Sequence, residues 1–91
     1  MRFSFWPDAN QTWQDILALA QHVERTGWDG FWFADHFMPD DEDTCEPCHE
    51  VWTILSAVAA AVPRIRLGPL VACNTYRHPA VLDKMAASLD H

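Results

Sequence analysis

From Trp13 onward the apolar positions fall at Trp13, Ile16, Leu17, Ala20 and Val23, which is one face of a helix. The spacing predicts a helix over 11–26, with Asn10 or Thr12 as its N-cap and Gly27 as the residue that stops it. Before it, "RFSFW" at 2–6 alternates polar and apolar residues and reads as a short strand ended by Pro7. After it, "GFWFA" is a near-continuous apolar run and predicts a strand over 30–35, of the kind buried on both faces of a parallel sheet. "HEVWTILSAVAAAV" predicts a second helix over 49–62, closed by Pro63. "IRLGPLVAC" predicts a third strand over 65–72, interrupted by Gly68 and Pro69. A third helix is expected over 79–90, with Pro79 in its first turn, where a missing N–H costs nothing.

The order is β-α-β-loop-α-β-α. Right-handed crossovers then give three parallel strands, adjacent and in sequential order, with the helices on one side. The fold class is α/β.

Length and charge narrow the function. A chain of 91 residues makes one small domain. A formal net charge of −7 argues against a nucleic-acid partner and against an anionic membrane surface. The longest apolar run, 57–62, is too short to span a bilayer, and the first residues show no export signal, so a cytoplasmic location is expected. Asp40, Asp41, Glu42, Asp43 and Glu46 form an acidic cluster that reads as a solvated loop; it lacks the glycine and terminal carboxylate of a Ca²⁺ loop.

The string "CEPCH", Cys45 to His49, has the form of a c-type haem attachment site and the ligand types of half a zinc site. It defines an alternative function, a small metal- or haem-binding module built on Cys45, Cys48 and His49, with Met85 available as a distal haem ligand. The βα alternation is not that of a small all-helical cytochrome, and covalent haem attachment normally follows export. Zinc would need a fourth ligand. We therefore read the string as accidental and expect no bound metal.

Three strings carry a family resemblance: the opening strand, "ERTGWDGFWFADHFMP" and "PRIRLGPLVACNTYRHPAVLDKMAASLDH". Glu24, Gly27, Trp28 and Asp29 form a turn before the second strand, and Asp35, His36 and Phe37 end it. Arg64 to Gly68 form an R-I-x-L-G strand that leads to Arg77, Pro79 and Ala80 at a helix start. In order and spacing these resemble the luciferase-like monooxygenases, the bacterial-luciferase superfamily of flavin and deazaflavin oxidoreductases. The resemblance implies a (β/α)₈ TIM barrel with its site at the C-terminal ends of the strands. Such a barrel takes about 250 residues, so residues 1–91 are expected to be an N-terminal portion with the first three βα units.

The same resemblance implies the chemistry. The cofactor would be coenzyme F-420, a deazaflavin, or FMN, and "VACNTYRHPAVLDK" favours the deazaflavin branch. His36 would stand beside the cofactor ring and transfer a proton or stabilise charge during hydride transfer. Asp35 would orient that histidine, contact the cofactor, or cap the following loop. Leu70 and Val71 would back the cofactor across a non-proline cis peptide bond in the complete enzyme. Cys73 and Asn74 would line the cofactor pocket, and Arg77 would reach a phosphate or pair with a local acid. Trp6 could pack on a planar ring, whereas Phe5 belongs to the core. The expected partner is a small-molecule substrate, and the resemblance allows a homodimeric parent. Alone, residues 1–91 are expected to self-associate and to show no turnover.

Overall fold

The computed structural model describes residues 1–38 and 47–91. The elements follow in the expected order: β1 (Ser4–Phe5), α1 (Trp13–Arg25), β2 (Gly30–Phe33), α2 (Val51–Ala61), β3 (Arg66–Pro69) and α3 (Pro79–Asp90). The strands form one sheet in the order β1-β2-β3, and both pairs are parallel.

Each helix end has a local cause. Thr12 caps α1: its hydroxyl accepts from the Asp15 backbone N–H at 3.2 Å and donates to the Asp15 carboxylate at 2.6 Å. At the other end Gly27 takes φ +80°, Trp28 N–H donates to the Val23 carbonyl, and Gly27 N–H to that of Glu24. This paired closure needs a left-handed residue, which is why glycine stands there. Helix α2 starts two residues later than its apolar pattern predicts, because Glu50 is its N-cap and accepts from Thr53 N–H at 2.7 Å. His78 caps α3, with Pro79 next, as the sequence predicts.

The strands are shorter than their alternation. Phe3 lies outside β1 because its N–H donates to the Asp29 carboxylate at 2.7 Å in place of a ladder partner. Strand β3 ends at Pro69, and Leu70 N–H makes one more bond to the Phe33 carbonyl before the chain leaves the sheet. Residues 72–74 therefore lie in the segment after β3 and not in the strand.

The register sorts the side chains into two faces. Phe5, Phe31 and Leu67 share a row, and Phe33 pairs with Pro69. Phe31 and Phe33 are fully buried against Ile16, Ala20 and Val23 of α1 and Val51, Ile54, Leu55 and Val58 of α2. Fully burying a side chain of this size contributes about 1.5–3 kcal/mol. Phe5 stacks on Phe31 and meets Trp28 edge-on, so its place is the core. The opposite face carries Ser4, Gly30, Arg66, Gly68 and the half-buried Trp32. Helix α3 packs on α2 through Leu82, Met85 and Leu89, and has no fully buried residue. No helix among the described residues is long and apolar enough to cross a membrane.

Candidate functional site at the strand exits

Beyond the C-terminal end of β2 the chain runs Ala34, Asp35, His36, Phe37. Asp35 is only 3% exposed. A buried carboxylate is tolerated only when paired and hydrogen-bonded, and Asp35 is both. Arg77 Nη1 donates to its Oδ2 at 2.6 Å and Nη2 to its Oδ1 at 2.9 Å. The Cys73 backbone N–H donates to the same Oδ2 at 2.8 Å. Both oxygens are thus engaged by the segment after β3. Of the two uses open to Arg77, the local acid is the one the structure records.

Arg77 reaches a second acid. Its Nη2 also donates to Glu50 Oε1. The other Glu50 oxygen accepts from Thr53 N–H and Thr53 Oγ1, each at 2.7 Å, at the start of α2. One guanidinium therefore joins the exit of β2, the exit of β3 and the N-terminus of α2. The hydrogen bonds from Arg77 to Asp35, with help from Glu50, raise the Arg77 pKa further against the opposing effect of burial. For Glu50, burial works to raise the pKa, but hydrogen bonds from Thr53 and then Arg77 outweigh it and hold it below the usual carboxylate value.

His36 is half-buried, and its carbonyl accepts from Cys48 Sγ at 3.4 Å. Phe37 stacks on Tyr76 with ring centroids 4.0 Å apart and planes 15° from parallel. The Leu70–Val71 peptide bond is cis, as the resemblance implies. At the strand exits and in the segments that follow them, Trp6, Phe37, Met38, Leu70, Val71 and Tyr76 are exposed apolar residues. Asn74 is exposed. Cys73 Sγ lies 3.2 Å from Thr75 Oγ1, and hydrogen bonding from the Thr75 hydroxyl and backbone lowers the thiol pKa.

Two surface grooves lie elsewhere, along β3 and between α2 and α3. They are lined by Leu67, Pro69, Ala86 and Leu89 and by Ala59, Val81 and Met85 respectively. The first groove also carries Arg66, Asp83, Asp90 and His91 and the second Lys84, whereas the hydrogen-bonded set of Asp35, Glu50 and Arg77, with His36 and Cys73 next to it, lies at the strand exits.

Within CEPCH, Cys45 lies outside the described residues, as does the acidic cluster at 40–46. Cys48 is bonded to the His36 carbonyl, and His49 Nε2 lies 2.9 Å from the Gln11 carbonyl, so that nitrogen carries the proton. Among the described residues no group of three or more His, Cys, Asp or Glu side chains could hold a metal ion. Met85 packs against the core.

Glu50 and Tyr76 join the site without being singled out by pattern, and Phe37 stands in the strand-end motif without a role in the site assigned from it. Glu50 had one signal, its place three residues before Thr53 at the head of an apolar helix.

Comparison with known proteins gives a common answer. The family model for luciferase-like monooxygenase matches residues 1–91. Limonene 1,2-monooxygenase of Rhodococcus erythropolis is 32% identical over 84 residues, which cover 92% of this chain and 21% of that protein. The structure of the coenzyme F420 dependent tetrahydromethanopterin reductase from Methanopyrus kandleri superposes with a TM-score of 0.81 at 22% identity, covering 98% of this chain and 23% of that one. The chain spans about a fifth of the length of both. The likeness to the reductase concerns the fold, and the three parallel βα units are part of a (β/α)₈ barrel.

Proposed function

This chain belongs to the luciferase-like monooxygenase family, and on that premise we propose that it forms the first three βα units of a cytosolic oxidoreductase that binds a deazaflavin, coenzyme F-420, at the strand exits. FMN is the competing cofactor. The observation that carries the reading is His36, held at the exit of β2 beside exposed apolar surface. The residues present fit a planar tricyclic ring: Leu70, Val71 and the Phe37–Tyr76 pair offer apolar area, and Trp6 stands at the exit of β1. When bound, such a ring supplies hydride transfer or oxygen activation.

The chain's own residues have narrower tasks. The His36 imidazole holds or moves a proton at a ring nitrogen. Asp35 carries negative charge next to it in sequence and fixes the backbone there through Arg77. The Asn74 amide offers a donor and an acceptor, and Cys73 lines the pocket through its thiol. The substrate is a small molecule that reaches the same face.

The test is titration of the full-length protein carrying this chain with coenzyme F-420 and with FMN, following the fluorescence of each. Saturable binding of coenzyme F-420, with weaker binding of FMN, is expected. His36→Asn should bind the cofactor yet lose turnover with a hydride-donating substrate. Binding of neither cofactor would overturn the reading, and binding of FMN alone would reassign the cofactor.

A further inference from the structure

His36 stands between two residues that are each tied to the same short stretch of chain. Asp35, before it, is held by the Arg77 fork at 2.6 and 2.9 Å. Phe37, after it, is stacked on Tyr76. Its own carbonyl accepts from Cys48. Tyr76 and Arg77 are consecutive, so one dipeptide grips both neighbours of the histidine, on one side by a buried ion pair and on the other by ring contact. Arg77 then continues to Glu50, whose second oxygen caps α2.

We propose that Tyr76 and Arg77 are positioning residues for His36, fixing the backbone of the β2 exit so that the imidazole meets its reaction partner in one geometry. This rests on the reading of the strand exits as a cofactor site. The backbone of an irregular segment is held only by such contacts, and a site loses rate steeply as its groups move out of place. The grip needs shape as well as charge. A guanidinium presents a planar fork to Asp35 and still reaches Glu50, whereas a lysine ammonium is a point donor that cannot reproduce the paired bonds. Loss of the fork also leaves the Asp35 carboxylate buried without its partner, which drives the exit open. The sheet beneath is held separately by Phe31 and Phe33, so the loosening stays local.

The experiment is hydrogen exchange on the full-length protein, read by mass spectrometry, with cofactor affinity measured on the same samples. The variants are Arg77→Lys, Tyr76→Ala and Tyr76→Phe. Arg64→Gln serves as a control, since Arg64 pairs with Glu24 at the other end of the strands. Arg77→Lys and Tyr76→Ala should speed exchange in peptides covering 34–38 and 70–77 and leave α1 unchanged. Tyr76→Phe, which keeps the ring, should retain protection. Affinity for coenzyme F-420 or FMN should fall about tenfold in the first two variants, the equivalent of one hydrogen bond to a charged group. Unchanged exchange at the exits in both variants overturns the proposal, as does faster exchange spread equally through α1. Should Arg77→Lys fail to fold, the contrast between Tyr76→Ala and Tyr76→Phe decides. If the unaltered protein binds neither cofactor, the cofactor reading falls and the exchange data alone settle the positioning.

Discussion

The indole of Trp32 lies across Gly68 of the neighbouring strand, so closely that a Cβ built on that glycine would stand 2.8 Å from Cε3 of the ring. Gly30, two residues before Trp32 on the same face, is also covered by the indole, with a Cβ there 3.2 Å from Cζ2. One large ring thus occupies the area of three positions on the face turned away from the helices. Gly68→Ala should destabilise by about 1–3 kcal/mol, the usual effect of overpacking. Combining it with Trp32→Ala should restore most of that loss, because the ring is what the new methyl meets. Thermal unfolding of the single and double variants in a double-mutant cycle checks this. Additive effects would show that the ring does not set the requirement for glycine.

Acid should loosen the site through Glu50. Its folded-state pKa lies below the unfolded value. Its contribution to stability is therefore present in full above the ordinary carboxylate range and is lost as pH falls through the folded value. Glu50→Gln should lower the melting temperature at neutral pH, and the gap from the unaltered protein should narrow on the acid side. A gap independent of pH would refute the assignment.

Purified protein should contain no stoichiometric zinc or haem. Cys48 and His49 already bond to the carbonyls of His36 and Gln11, and a ligand role for either would break those contacts. Elemental analysis giving one zinc per chain, or a Soret band after expression with haem-maturation machinery, would overturn this.

Residues 1–91 expressed alone should self-associate and turn nothing over. Phe3, Trp6, Phe37, Leu70 and Val71 are each at least 46% exposed. Among the described residues, strands β1 and β3 each have one side without a partner strand in the sheet, and open strand edges invite pairing with another chain. Sedimentation velocity checks the first expectation, and assay with either cofactor the second. A monomer with a sharp unfolding transition and tight cofactor binding would contradict both.

The helices and the parallel order were legible because burial follows periodicity. Ile16, Ala20 and Val23, predicted as one face, are the buried residues of α1. "GFWFA" reads as β2 because Phe31 and Phe33 are buried against the helices while Trp32 fills the other face over Gly30 and Gly68. Element ends were harder to read, since side chains decide them: Asp29 takes the Phe3 N–H from β1, and Glu50 takes the first turn of α2. In the site, Asp35 and His36 were legible from the strand-end motif, but the partners of Asp35 were not. Asp35, Glu50 and Arg77 are far apart in sequence, and no local pattern records that one guanidinium will serve both acids.

At the opposite end of the sheet Glu24 takes both the Arg64 backbone N–H, at 2.8 Å, and its guanidinium, at 3.3 Å. The main-chain bond needs no particular side chain at position 64, and that arginine is 77% exposed. Replacing the Arg64 side chain should therefore cost little stability, whereas losing the Glu24 carboxylate removes both bonds. At Arg77 the side chain itself is the joint, and variants that change it must rebuild both acids with it. The two ends of this sheet should tolerate substitution differently: one rests on an acid and a main-chain bond, the other on three charges that stand or fall together.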